Sequence, residues 1–160
     1  MKQIPHILVI LFFAVSFIGF ADAAYLTAKH YMGVIPPCSL TSGCETVLTS
    51  PYAAVGPIPI ALVGAIYYLV LFIGGMLYLD TKNESVLKPI AYFTFIGFLT
   101  SGILLFIQVF IINALCLYCI GSAITSTFLF ILGIMILRNI KKDAKATQTA
   151  LNTPPPAHEF

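Results

Sequence analysis

Residues 90–119 read IAYFTFIGFLTSGILLFIQVFIINALCLYC, from Ile90 to Cys119. From Ile90 to Ile112 no side chain is charged. About 20 consecutive apolar residues let a helix cross a bilayer, where the backbone has no water to bond and must satisfy itself. Asn113, Ala114 and Leu115 leave room for only a tight turn before the next apolar run. That run opens on Cys116-Leu117-Tyr118-Cys119. The stretch thus reads as two membrane helices joined by a very short loop, with a dithiol at the start of the second.

Outward from this pair, two more runs qualify, so the predicted spans are Pro5–Leu26, Ile58–Leu79, Ile90–Ile112 and Leu115–Leu137. Hydrophobic residues make up 59% of the 160-residue chain and charged residues 9%, with a mean hydropathy of +0.99. Soluble domains carry about 25% charged residues, so the expected class is an all-α integral membrane protein, a four-transmembrane-helix bundle. Four spans take about 90 residues at that length and leave one domain over residues 1–145, with a loop over 29–57. The tail 146–160, containing Pro154-Pro155-Pro156, reads as disordered.

All of the eight Lys and Arg except Lys29 fall on one side of these spans: Lys2, Lys82, Lys88, Arg138, Lys141, Lys142 and Lys145. The positive-inside rule assigns that side to the cytoplasm, so both termini are expected inside an inner (cytoplasmic) membrane. The 29–57 loop and the turn at Asn113 then lie on the exoplasmic face, where disulfides persist. The net charge of +2 comes from these juxtamembrane residues and points to no nucleic-acid partner. A rival reading takes Lys2, the Ile7–Phe20 run and Ala21-Asp22-Ala23 as a signal peptide. Asp22 sits awkwardly beside such a cleavage bond and the run continues to Leu26, so retention as a helix is expected. Either way all four cysteines remain outside.

Those cysteines form two pairs. Cys38 and Cys44 flank Ser39-Leu40-Thr41-Ser42-Gly43, a turn-like stretch entered through Pro36-Pro37. Glu45–Leu48 reads as a short interfacial helix ended before Pro51, and Tyr52–Pro59 as an apolar segment returning to the membrane. Cys116 and Cys119, three residues apart, share a face of the fourth span's first turn. The helix dipole there favours a thiolate, the competent species for thiol–disulfide exchange. Asn113 is the expected cap of that turn. Chain running from Cys44 to Ile58 at up to about 3.3 Å per residue is long enough to cross the top of a bundle, which allows Cys44 to come within the roughly 7 Å Cα separation that a bridge to Cys116 requires. Other readings stand beside this one: a static disulfide stapling the loop, packing cysteines, or a zinc site built from all four thiols.

Spans two to four hold no Asp, Glu, Lys, Arg or His, whereas intramembrane ionisable residues mark ion and proton pathways. This disfavours a pump or charged-solute carrier. An apolar pocket lined by aromatic and small residues suits a lipid-soluble quinone, with Tyr67, Tyr68, Phe93, Phe98, Phe106, Gln108 and Tyr118 as candidate lining. Most small residues in the spans, such as Gly64 and Gly74, serve helix packing, but Gly121 and Ser122 lie just past Cys119 and can shape the pocket.

The ordered set Tyr25-Leu26-Thr27, Cys38, Cys44-Glu45-Thr46-Val47, Ser50, Gly56-Pro57-Ile58-Pro59, Gly64, Tyr67-Tyr68 and Cys116-Leu117-Tyr118-Cys119 resembles the vitamin K epoxide reductase family, especially its bacterial members. The resemblance covers nearly all of the chain except the tail. It implies a four-helix membrane bundle around a quinone (ubiquinone or menaquinone), capped by the loop that holds the first cysteine pair. It further implies that Cys119 meets the quinone with Cys116 as its partner. Cys44 would exchange with Cys116, and Cys38 would accept electrons from a separate thioredoxin-fold (DsbA-like) redox protein. Ser50 matches the family's loop serine or threonine, which would stabilise the loop near the quinone by hydrogen bonding. Vertebrate members place an amide one turn before the glycine matched by Gly64, where this chain has Ile60. They also place a tyrosine one turn after the second cysteine, where it has Ala123. The resemblance therefore implies quinone reduction rather than epoxide reduction, and a role in disulfide formation in exported proteins. Many bacterial members fuse a thioredoxin-like domain behind the bundle; the short tail here implies a separate partner.

Two rivals remain. The bacterial disulfide-oxidase type of four-span quinone reductase shares the chemistry but carries its Cys-x-x-Cys in the first outer loop, the reverse order. A small membrane structural or metal-binding protein with non-catalytic cysteines needs no turnover at all.

Overall fold

The structure, a computed structural model, describes residues 6–37, 43–82 and 84–152. Four long helices dominate it: α1 (His6–Tyr31), α3 (Ile60–Thr81), α4 (Glu84–Phe106) and α5 (Leu117–Asn152). Short elements join α1 to α3: a helix α2 (Gly43–Leu48) and a two-stranded antiparallel hairpin of β1 (Ala54–Val55) and β2 (Ile58–Pro59). Helices α1, α3 and the segments Ser85–Ile112 and Leu117–Lys142 are each long and apolar enough to cross a membrane. The four-span expectation is met. At a rise of 1.5 Å per residue, the 26 residues of α1 extend about 39 Å, enough to cross a ~30 Å hydrocarbon core with some tilt.

The bundle is closed by α1 against α3 and α5, and by α4 against α5 and α3. Its interior is a continuous apolar cluster that includes Phe12, Tyr68, Leu71, Leu87, Leu129 and Ile136. The outside is apolar as well: Ile7, Ile66, Ile103 and Phe110 are all more than half exposed. A soluble monomer rarely shows so much contiguous apolar surface, whereas lipid covers it without cost.

Several local features differ from the sequence reading. The first helix runs on past Leu26 to Tyr31, because Thr27, Ala28 and Lys29 do not interrupt a helix and Thr27 Oγ1 donates to the Ala23 carbonyl at 2.7 Å. The tail expected to be disordered from Ala146 stays helical as far as Asn152; alanine, glutamine and leucine there are good helix formers that extend an established helix at little cost. Residues 153–160, with the three prolines, lie outside the described residues. Tyr52–Pro59 is not a shapeless surface segment. Gly56, at φ +62°, provides the positive φ of a two-residue hairpin turn, and Ile60 N–H donates back to the Ala53 carbonyl at 3.0 Å.

Asn113 also differs. It ends the preceding helix instead of starting α5. The chain from Ile107 to Ile112 is π-helical, and Asn113, in the left-handed region at φ 55° and ψ 33°, closes it. Asparagine tolerates that conformation better than most residues. The Ala114 N–H donates to the Gln108 main-chain carbonyl at 3.1 Å. A π turn takes up one residue more than an α turn and is often found at functional sites; here it sets the height at which the cysteines of α5 begin.

Candidate functional site

The wide turn brings the Gln108 side chain, which is buried, beneath the start of α5, and its Oε1 accepts the backbone N–H of Cys116 at 3.1 Å. Gln108 thus ties together the last turn of α4 and the first cysteine of α5. The sequence reading treated Gln108 only as candidate lining. Its signal was present: an amide inside an otherwise apolar span must find a partner or carry a desolvation penalty.

Helix α5 begins at Leu117, so Cys116 is its N-cap residue and Cys119 falls in its first turn. The Cys116 carbonyl accepts the Ile120 N–H at 3.0 Å, the first helical hydrogen bond. At an N-cap the side chain is placed to accept the N–H groups two and three residues on, here Tyr118 and Cys119. The Cys116 thiol is accordingly lowered to about 7. The largest cause is a hydrogen bond from the Cys119 thiol, with the N–H groups of Cys119 and Tyr118 assisting. Together they outweigh burial and the nearby Asp22 carboxylate, both of which oppose ionisation. The thiolate absorbance of the protein should therefore develop with a midpoint near pH 7, rising with pH and lost below it. In Cys119→Ala, which removes the leading cause, the midpoint should move upward toward the ordinary thiol value of about 8.5. At pH 7 that shift lowers the Cys116 thiolate population roughly tenfold. A midpoint equal in the two proteins would refute the hydrogen-bond assignment.

Helix α2 carries the loop cysteine to this point. Cys44, Val47 and Cys116 form one buried cluster, packed by Leu48, Ile112, Tyr118 and Cys119. The approach is close because Gly43 has no side chain: a Cβ there would stand 2.6 Å from the Leu115 carbonyl oxygen and 2.8 Å from its nitrogen. Farther back along the loop, the Tyr118 hydroxyl donates to the Pro37 carbonyl at 3.2 Å, and its ring lies 5.7 Å from that of Tyr25. The segment leading to Cys38 is thus moored to α5 one residue from Cys119. Cys38 itself lies outside the described residues. Cys44 is disulfide-bonded, whereas Cys116 and Cys119 are free thiols.

Below the cysteines lies a cavity of about 350 Å³, within the range of roughly 300–1,000 Å³ typical of small-molecule sites. Cys119, Ser50, Tyr67 and Tyr68, named from the sequence, all line it, and so does Ser122. Gly121 is not among its lining residues, and a Cβ at Gly121 would meet nothing within 4 Å. Ser50 also finishes α2, its hydroxyl donating to the Val47 carbonyl at 2.7 Å. Tyr68 is buried and pins α3 to α5: its hydroxyl donates to the Ser122 carbonyl at 2.8 Å and lies 2.9 Å from Thr125 Oγ1. Tyr67 packs on Tyr68 and on Phe93, with ring centroids 5.1 and 5.4 Å away.

One wall residue was not anticipated. Asp22, read from the sequence only as a poor neighbour for a cleavage bond, lines the cavity from α1. Its Oδ2 is buried and has no hydrogen-bond partner among the described residues. The cavity wall is mostly apolar, with Cys119, Ser50, Gln108 and Ser122 among its polar groups. Among the described residues, no three His, Cys, Asp or Glu side chains gather as a metal site requires.

A sequence model of the vitamin K epoxide reductase family matches residues 10–134. The match runs from within α1, through both cysteine pairs and the cavity, to the middle of α5. A comparison with curated proteins returns no match.

Proposed function

This chain belongs to the vitamin K epoxide reductase family, and we propose that, as a membrane thiol oxidoreductase of that family, it passes electrons from a separate thioredoxin-fold protein to a quinone. The observation that carries the reading is the shared burial of Cys44 with Cys116, while Cys119 forms part of the cavity wall. On this reading the loop pair exchanges with the inner pair through Cys44 and Cys116, and Cys119 delivers the electrons to an acceptor in the cavity.

In the proposed sequence the partner's dithiol reduces a Cys38–Cys44 disulfide and becomes a disulfide itself. The Cys44 thiolate next attacks Cys116 in a Cys116–Cys119 disulfide, forming a Cys44–Cys116 bond and releasing Cys119. Cys38 then attacks Cys44, which re-forms the loop disulfide and frees Cys116. The inner dithiol finally becomes a disulfide again, and its two electrons and two protons pass to the quinone. The disulfide at Cys44 and the free thiols at Cys116 and Cys119 correspond to the stage just before this last transfer. A thiol held near pKa 7 suits exchange, because it is substantially ionised yet keeps nucleophilicity that a more acidic thiol loses. The bias of Lys and Arg supports an orientation with both termini cytoplasmic and the cysteines outside, as formation of disulfides in exported proteins requires. The metal-binding reading is weaker, since a sulfur held in a disulfide is not a thiolate ligand.

The test supplies purified protein with ubiquinone or menaquinone and a reduced thioredoxin-fold protein, and follows quinone absorbance. Quinone reduction should depend on both the partner and the chain. Failure with every quinone would defeat the proposal and favour structural cysteines.

A further inference from the structure

An acid in a membrane span needs a reason. Insertion of an aspartate near a helix centre costs about 2.5–3.5 kcal/mol, and such residues are retained where they serve a path for protons, ions or substrate. Asp22 lies inside the His6–Tyr31 span. No hydrogen bond explains its presence: Oδ2 is buried and unbonded among the described residues. Nor is it turned to the lipid, since it forms part of the wall of the cavity that Cys119 also lines. The titratable groups around it are Tyr68 on α3 and Cys116, Tyr118 and Cys119 on α5, all within electrostatic reach, with Tyr67 and His30 on the same cavity wall. None of these bonds the carboxyl.

We propose that Asp22 is a proton-handling residue of this cavity, passing a proton between the inner dithiol and an oxygen of the bound quinone. The inference rests on the quinone reading above and goes beyond it by assigning a residue to the protons. Oxidation of the Cys116 and Cys119 thiols to a disulfide forms one S–S bond and releases two electrons and two protons. Reduction of a quinone to a quinol consumes both, one proton on each oxygen. Electrons can pass directly from sulfur to the acceptor, but a proton needs a group within hydrogen-bond reach at each end. Tyr68 is poorly placed to serve, because its hydroxyl is already committed to Ser122 and Thr125. Asp22 has an uncommitted oxygen on the same wall, and a carboxyl can both accept and donate a proton at that atom. No net proton is gained or lost by Asp22 over the cycle.

The test uses the full chain with Asp22 unchanged, Asp22→Asn and Asp22→Glu, and separates the two halves of the reaction. In the first half, with neither quinone nor reduced partner present, the Cys116 thiolate of the Cys119→Ala background attacks Cys44 in its disulfide, Cys38 leaves as a thiol, and the Cys44–Cys116 bridge is trapped by alkylation. In the second, the reduced inner dithiol is mixed with ubiquinone or menaquinone in a single turnover. Asp22→Asn should trap the bridge as well as the unsubstituted chain does, yet reduce quinone on the order of 100-fold or more slowly, as expected for loss of a general acid–base group. Asp22→Glu should recover much of that rate. A second readout is independent of rate. The infrared difference spectrum between quinone- and quinol-loaded protein should show a carboxyl protonation change that vanishes in Asp22→Asn. Equal single-turnover rates in Asp22→Asn and the unsubstituted chain, or a carboxyl signal that survives the substitution, would overturn the assignment while leaving the quinone reading intact. Loss of the trapped bridge in Asp22→Asn would also overturn it, by making Asp22 a structural residue. If the unsubstituted chain reduces no quinone, the underlying reading fails and the assignment falls with it.

Discussion

Cys119→Ala should stop electron transfer to the quinone and at the same time accumulate a covalent Cys44–Cys116 bridge. The two effects have one cause. In the proposed relay Cys119 is the sulfur that resolves a Cys44–Cys116 bond from within α5, and it lines the cavity proposed to hold the acceptor. Without it, the Cys116 thiolate attacks Cys44 in the loop disulfide and releases Cys38 as a thiol, and the Cys44–Cys116 bond, with no second sulfur on α5 to resolve it, is held once Cys38 is alkylated. The turnover loss should be on the order of 10⁴-fold or more, the scale seen when a member of a covalently acting set is removed. The bridge is read by mass spectrometry of alkylated, non-reduced peptides. Cys116→Ala should lose turnover equally but form no such bridge, since Cys44 would have no buried sulfur to meet. Bridging of Cys44 to Cys119 in that variant, at a yield matching the first, would show that α2 is not seated on Cys116 in particular.

Gly43→Val should separate the two relays without touching any sulfur. The first residue of α2 rests on the backbone of Leu115, one residue before Cys116, at distances that leave no room for a Cβ. Backbone cannot yield by a rotamer change, so α2 must lift. Overpacking of this kind costs about 1–3 kcal/mol, which lowers the docked population by roughly 5- to 150-fold. Partner-driven turnover should fall by that range, as should the yield of the Cys44–Cys116 bridge in the Cys119→Ala background. Turnover driven by a small dithiol, which can reduce a Cys116–Cys119 disulfide directly, should fall much less. A valine variant with normal partner-driven turnover would mean that the loop reaches Cys116 by another route.

The sequence was most informative where a property is local. Membrane spans depend on runs of apolar side chains, and each of the four runs became a helix long enough to cross a bilayer. The short α2 helix was legible from the residues between Gly43 and Pro51, although its first residue needed the structure. Boundaries were less secure. Asn113 stands between two helices, and a polar residue there can start one or end the other. The π turn at Ile107–Ile112 decided for ending, since it consumed the residue that would otherwise have placed Asn113 at the head of α5. The change moved the N-cap to Cys116, and with it the two N–H groups that support a thiolate. The helical stretch 146–152 shows the same limit: proline-rich sequence beyond it suggested disorder, but continuation of a formed helix needs no new nucleus.

The candidate site was only partly legible. Cysteines and aromatics announce themselves by type, so Cys44, Cys116, Cys119, Ser50, Tyr67 and Tyr68 could be named, whereas Gly121 was named for smallness and lies off the cavity wall. Gln108 and Asp22 were harder, because polarity alone does not say which way a helix is rotated.

From the chain alone came the membrane class, the four spans and the two dithiols, since hydrophobic run length, charge and residue type add up along the sequence without reference to distant segments. Only the tertiary structure decided that Cys44 packs on Cys116, that Gln108 holds the Cys116 backbone and that Asp22 shares a cavity with Cys119. Each of these depends on helix rotation and on close approach between residues far apart in sequence, here permitted by a missing side chain at Gly43 and a π turn at Ile107–Ile112.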